Sequence, residues 1–404
     1  MAWNGWKVID MDSHIQERPA GMFGPHIDPE YREKFGRLKA ALDESAKRGY
    51  NPAIASSRHA ILAPGISDET LGEPDSFGNV PREFILDHSG HGRRNFGRPG
   101  QPNLPRIHPE VNTDVKMRLA DMDAAFIDVD VLYPTHVSSY CALHDIGFEC
   151  ALYRAYHRWV AGYCAEAPDR LKWTVVAGMR DIRTAVEEIR YWAAKDPNCV
   201  GVYMPPNGPN NMLLDDLALL PIYEAAQDMD LPVLIHGGTA RPPYQPGTFD
   251  LRGAWFLQHA LSNPWAGMAS LGALVGGGIF ERFPTLRAAV VETAAGWLPS
   301  ILERFDAHYV LSPGHTPLLK HMPSEVVTQS GRYFHGIDTW EKTLEWLVQT
   351  VGEDVLLFAT DWPHGDTAWP EAVQQVVEWP NLADSAKRKI LGENAMRLCP
   401  RLQE

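Results

Sequence analysis

The sequence predicts a (β/α)8 barrel of the TIM type, a single domain over 1–404 with one long insertion after strand one. Three observations carry that expectation. From about Lys116 onward, short apolar or β-branched runs alternate with stretches of helical periodicity, as parallel strands joined by crossover helices require. Counted with one run at the N-terminus, the strands number eight, enough to close a barrel. No GxGxxG follows any of them, so the phosphate-binding turn of an open doubly wound sheet is missing.

The strands are expected at Lys7–Met11, Val129–Tyr133, Lys172–Gly178, Cys199–Met204, Leu231–Ile235, Arg287–Val291, Arg332–Phe334 and Asp354–Thr360. Each is nearly continuous in apolar residues, which suits a strand covered on both faces. Between two of them, Ile182–Lys195 reads as a helix. Ile182, Val186, Ile189 and Ala193 share one face there, and Glu187, Glu188 and Arg190 lie off it.

The stretch Arg18–Asn112 (18–112) breaks the rhythm with SDETLGEPDSFGN, HSGHGRRNFGRPGQPNLPRIHPE and a polar helical piece around Tyr31–Lys47. It reads as an insertion capping the C-terminal ends of the strands, where barrels shape their substrate pockets. A plain surface excursion is the alternative.

Composition narrows the function. Hydrophobic residues make up 45 %, enough for a large core, while 51 Asp and Glu against 37 Lys and Arg leave a net charge of -14. Such a surface argues against nucleic acid or an anionic membrane as the main partner, and leaves a small molecule, an anionic one included. The five Cys (141, 150, 164, 199 and 399) form no CxxC pair and fit reduced thiols in a cytoplasmic protein. The opening MAWNGWKVIDMDSH shows no secretory pattern, and the longest apolar stretch, Trp265–Phe280, is Gly-rich and short for a membrane span.

The chemistry is expected at three strand ends. Side chains alternate along a strand, so Asp12 and His14 project to one side, as a two-ligand clamp would. His236 directly follows Leu231–Ile235, and Asp361 closes the last strand at the same height. Imidazole and carboxylate groups converging on the C-terminal rim suit a divalent cation. Taken singly, each is as well read as a cap or a loop residue.

On these residues the chain resembles the amidohydrolase superfamily, in its amidohydrolase-related branch with aminocarboxymuconate-semialdehyde and resorcylate-type decarboxylases. The matching stretches are IDMDSHIQERP, LPVLIHGG, GGGIFERFPTLRAAVVE and FATDWPHGD, with GWLP between the last two. The resemblance runs from Val8 through the last helix, apart from the insertion. It implies one divalent metal ion held by Asp12, His14, His236 and Asp361, and it implies a homodimer. The commonest strand-one form of the family has two His; here the first is Asp12, which leaves zinc and manganese both open. The branch also carries a His at the end of strand six. This chain has Thr293 at that position, with Glu292 beside it.

Glu292, His335 or His364 is expected to take the missing imidazole's part, with Asp361 and Glu292 as the catalytic pair. Glu292 has a structural alternative, pairing with an Arg such as Arg304. His335, His364 and His259 are candidate substrate contacts, and Trp265 is expected in the core. His88 and His91, with Arg93, Arg94 and Arg98, read as a solvated loop. Ser139 and Ser270 lack a GxSxG elbow.

Non-oxidative decarboxylation of an aromatic or unsaturated carboxylic acid is the reaction the resemblance implies. Hydrolysis of a carbonyl substrate by metal-activated water is the rival, and a barrel that has kept its fold without chemistry is the alternative of another class. For the dimer, Tyr244–Phe256 and Ala368–Trp379 are the apolar segments that could supply a patch.

Overall fold

Parallel strands this apolar need cover on both faces, and the chain supplies it by curling the sheet into a barrel inside a ring of helices. In a computed structural model of the chain, eight strands lie side by side in sequence order. They are β1 (Ile9–Ile15), β2 (Val129–Pro134), β3 (Leu171–Val176), β4 (Cys199–Met204), β5 (Val233–His236), β6 (Ala288–Val291), β7 (Tyr333–Asp338) and β8 (Leu356–Ala359). Each pairs in parallel with the next. The structure describes residues 3, 5–17, 19–47, 109–135, 137, 143, 145–209, 212–238, 255–364 and 368–403.

The two outer strands meet at their C-terminal ends. The Asp361 N–H donates to the Asp12 carbonyl at 2.8 Å, and the His14 N–H donates to the Trp362 carbonyl at 2.7 Å. Pairing of Ser13, His14 and Ile15 with Leu132, Tyr133 and Pro134 of β2 carries β1 on to Ile15, four residues past its expected end at Met11, and the seam holds its other edge. Asp12 and His14 are strand residues, fixed from the far side of the barrel. For the same reason β7 reaches Asp338, because Ile337 and Asp338 pair with Phe358 and Ala359.

Described helices in the loops are α1 (Arg32–Lys47), α2 (Val115–Ala124), α3 (Ile146–Cys164), α4 (Ile182–Lys195) and α5 (Leu220–Asp228). After β5 come α6 (Trp255–Val275), α7 (Leu298–Leu311), α8 (Leu344–Thr350) and α9 (Ala372–Val377). The expected bounds of α4 hold to the residue. Asp181 caps it by accepting from the Thr184 N–H, and Lys195 sits in its last turn. Asp114 and Asp145 cap α2 and α3 likewise, and such caps contribute about 1 kcal/mol each.

The described start of the insertion is tied to α3. Lys34 pairs with Asp145 at 2.6 Å, and Asp28 meets Arg154 and Arg158, each at 2.6 Å. Cys150, Cys164, Cys199 and Cys399 are buried free thiols. Among the described residues, no helix is long and apolar enough to cross a membrane. Within Ala368–Trp379, Ala372, Val373 and Val376 are buried in the core, so this segment spends its apolar face inside the chain. Tyr244–Ala254, His88, His91, Arg93, Arg94, Arg98 and Ser139 lie outside the described residues.

Candidate metal centre and active site

The four expected ligands arrive at one point. One donor atom each from Asp12, His14, His236 and Asp361 falls within 4.8 Å of all the others. His14 Nε2 is 2.8 Å from His236 Nε2, 3.1 Å from Asp361 Oδ1 and 3.3 Å from Asp12 Oδ1. His236 Nε2 lies 3.0 Å from Asp12 Oδ1. Ligand atoms bound tetrahedrally at roughly 2.1 Å stand about 3.4 Å apart, so these spacings are near those of a shared ion.

The remaining ring nitrogens explain why Nε2 is the atom on offer. His14 Nδ1 faces the Thr135 hydroxyl at 3.2 Å, and His236 Nδ1 meets the Gly237 carbonyl at 2.8 Å, with Glu292 Oε2 3.2 Å away. A proton kept on Nδ1 by such partners leaves the Nε2 lone pair for a cation.

Charge at the centre follows from its crowding. Burial lowers the pKa of His14, and His364 nearby lowers it further, which favours the neutral ring a ligand needs. Burial works the same way on His236, but Asp12 and Glu292 outweigh it and lift that ring to about 9. Asp12 is pushed up by burial yet held below the usual carboxylate range by the His236 charge. Burial also raises Asp361, and His364 and His14 more than reverse it. Two imidazoles and two carboxylates, all nearly buried, therefore fit a divalent cation in donor type, spacing and charge.

Glu292 stands at the end of β6 with φ of 52°, a left-handed backbone that costs a non-glycine residue about 1–2 kcal/mol. Its carboxylate accepts from Asn263 Nδ2 at 3.1 Å and meets His236, so Asn263 and His236 occupy the place considered for Arg304. Asn263 is buried on α6, and its Oδ1 accepts from the Gly238 N–H at 3.1 Å, which links the ends of β5 and β6. Gly237 makes this approach possible, since a Cβ there would stand 2.3 Å from the Glu292 carbonyl oxygen. Burial, reinforced by the Asp361 charge, lifts the Glu292 carboxyl to about 7.

The three candidate substrate histidines are placed differently. His364 Nδ1 meets Asp361 Oδ1 at 2.6 Å, its Nε2 meets the Thr135 hydroxyl at 3.2 Å, and it is 18 % exposed. His335 is wholly buried. Its Nδ1 meets the Tyr333 hydroxyl and its Nε2 the Ala294 carbonyl, both at 2.7 Å, so it braces the loop after β6 instead of facing the cavity. His259 falls within α6, and its side chain is outside the described residues.

Trp265, expected in the core, is 46 % exposed because the inner face of α6 is already filled by Ala266, Ser270 and Leu271. Ser270 donates to the Ala266 carbonyl and plays no nucleophile's part. Thr135 and Asn263 were not expected at all.

Beside this cluster opens a cavity of about 320 Å³, a volume suited to a single substituted ring. Glu292, Asp361, Thr360 and Asn263 supply its polar side, and Ala260, Pro264, Trp340 and Ala368 an apolar one.

The model of the Amidohydrolase family (Amidohydro_2) matches residues 103–401, well over half of the chain. The chain belongs to that family. Among curated relatives of this amidohydrolase is the 2-amino-3-carboxymuconate-6-semialdehyde decarboxylase of Dictyostelium discoideum, 22 % identical over 290 residues, which cover 70 % of this chain and 76 % of the relative. The gamma-resorcylate decarboxylase of Polaromonas sp. (strain JS666 / ATCC BAA-500) is 23 % identical over 259 residues, or 59 % of this chain and 73 % of the relative. A solved structure of similar fold is the 5-carboxyvanillate decarboxylase of Novosphingobium aromaticivorans DSM 12444, complexed with manganese and 4-hydroxy-3-methoxy-5-nitrobenzoic acid. It superposes with a TM-score of 0.63 at 19 % identity, covering 98 % of this chain and 96 % of that one.

Proposed function

We propose that this amidohydrolase is a metal-dependent, non-oxidative decarboxylase of aromatic carboxylic acids. The carrying observation is a two-His, two-carboxylate cluster that reaches a ring-sized cavity through Asp361, in a chain whose curated relatives are decarboxylases. Asp12, His14, His236 and Asp361 hold the ion. Manganese is the first choice, since the structural relative carries it and carboxylates suit it; zinc is the second. When bound, the cation supplies a Lewis-acid anchor for the substrate carboxylate and an adjacent oxygen.

The chain's own residues then orient the ring and move one proton. His364, within 2.6 Å of Asp361, passes a proton to that carboxyl. Asp361 delivers it to the ring carbon that bears the carboxylate. The bond to the carboxylate carbon then breaks, its electron pair restores the aromatic ring, and carbon dioxide leaves. Solvent returns the proton to His364. Glu292, held by Asn263, keeps His236 in register and meets the polar edge of the substrate.

A panel of hydroxybenzoates and amides tests this. One carbon dioxide is expected per acid consumed, with no net uptake of water. Cleavage of amides or esters without carbon dioxide would replace the proposal with metal-assisted hydrolysis. Turnover of nothing on a metal-loaded sample would favour a barrel without chemistry.

Trp340, 61 % exposed on the apolar wall, is positioned to stack on the ring. Aromatic pairs are worth about 0.5–1.5 kcal/mol, so Trp340→Ala is expected to raise KM about 3–10-fold with kcat little changed. A fall of kcat by two decades at constant KM would contradict that role.

We infer also that 1–404 acts as one domain with 18–112 as its cap, in the cytoplasm and as a homodimer. The ties from Asp28 and Lys34 to α3 support the cap, and the prevalence of two-fold assemblies supports the dimer. A 45.1 kDa particle in sedimentation at micromolar concentration would contradict the dimer.

A further inference from the structure

Among the described residues Arg118 is the largest charged side chain buried without any exposure, and it lies on α2, the helix that leads from the insertion into β2. Its guanidinium is spent on the metal end of the barrel. Nη1 donates to the Ser13 hydroxyl at 3.1 Å and to Asp130 Oδ2 at 2.9 Å, and Nη2 donates to the His14 carbonyl. Nε donates to the Tyr163 hydroxyl at 3.2 Å. The guanidinium Cζ lies over the Trp362 ring, 4.5 Å from its centre.

Three of those partners adjoin the ligands. Ser13 lies between Asp12 and His14, the His14 carbonyl belongs to a ligand, and Trp362 follows Asp361. The Ser13 hydroxyl also bonds Asp130 at 3.1 Å and reaches the Trp362 carbonyl at 3.4 Å. One rigid, planar fork therefore spans the seam where β1 meets β8, and neither it nor these partners line the cavity. Those two strands contribute three of the four ligands from opposite ends of the chain, and few backbone bonds join them.

We propose that Arg118 is a positioning residue for the metal centre: by holding Ser13, the His14 carbonyl and Trp362 together, it sets the spacing between the Asp12–His14 pair and Asp361. This rests on the reading of those residues as metal ligands. Ligand constellations tolerate errors of only about 0.5 Å, so a seam free to slip would loosen the ion before it unfolded the barrel. A lysine keeps the charge opposite Asp130, but as a point charge it cannot donate in fixed directions to Ser13, Asp130 and the His14 carbonyl while covering the Trp362 ring. Filling the space, or neutralising Asp130, is therefore not enough.

The test uses the full chain, with manganese(II) as the probe. Isothermal titration gives the dissociation constant, electron paramagnetic resonance of the bound ion reports the symmetry of its ligands, and metal-free thermal unfolding reports the fold. Because removing the Arg alone would strand Asp130, the first variant is Arg118→Met with Asp130→Asn, and the second is Arg118→Lys. Both are expected to weaken manganese binding about 10–100-fold, the range for lost outer partners of a metal site, and to change the resonance line shape. If the double variant fails to fold, Arg118→Lys alone decides. Wild-type affinity and an unchanged spectrum in either folded variant would overturn the proposal. Failure of the wild-type chain to bind manganese is a different result, which removes the metal site itself and the proposal with it.

Discussion

Alanine in place of Asp12, His14 or His236 is expected to strip the ion from the purified protein and take nearly all activity with it. Each residue supplies one of four donors from a rigid strand, and all three are at least 98 % buried, so no neighbour can swing in to replace them. Three donors remain in each variant, but they were spaced for four. The His14 variant also removes the ring that stands 3.3 Å from Asp12 and 3.1 Å from Asp361, leaving both carboxylates without that partner. Thermal unfolding gives a readout independent of turnover. A ligand present at 100 times its dissociation constant stabilises a fold by about 2.7 kcal/mol, so manganese should raise the wild-type melting temperature and leave the three variants unmoved. Stoichiometric metal retained in all three would end the metal-centre reading.

Much of this centre is legible in the sequence because its parts are local. An Asp and a His two apart on one strand must share a side, and a His or Asp that closes an apolar run must sit on the rim. The bounds of β4 and α4 are legible for the same reason, since periodicity and an N-cap are set by neighbours in sequence. What stayed hidden is non-local. β1 extends through His14 and Ile15 because they pair with Tyr133 and Pro134 of β2, more than a hundred residues away, while Asp361 and Trp362 bond its other edge.

Thr135 and Asn263 are short polar residues with no pattern of their own. Only the barrel's closure brings one to His14 and His364, and the other to Glu292. Arg118 shares its helix face with the buried Val115 and Met122, and its partners Asp130 and the His14 carbonyl come from other elements that no local pattern links to it. His335 misleads in the opposite sense. At a strand end it looks available, but the neighbouring Tyr333 hydroxyl and the Ala294 carbonyl claim both of its nitrogens.

The second large effect is expected at Asp361, where one side chain is asked to hold the ion and to move the proton. Its backbone is left-handed, with φ of 60°, a conformation that Asn tolerates as well as Asp, so Asp361→Asn leaves the chain path intact. The amide oxygen can still face the centre beside His14, and much of the bound manganese should remain. What the amide cannot do is take a proton from His364, 2.6 Å away, and give it up again. Burial alone would push the Asp361 carboxyl towards its neutral form, but His364 and His14 hold it well below the usual carboxylate range. That makes it a strong acid whenever it is protonated, apt for transfer to a weakly basic ring carbon. Turnover is therefore expected to fall about 10²–10⁴-fold, the range for loss of a general acid or base, while metal occupancy stays near that of the wild type. If Asp361 served only as a ligand, activity would follow occupancy and return with excess metal. Near wild-type turnover of Asp361→Asn in added manganese or zinc would therefore remove the proton-transfer step from this residue.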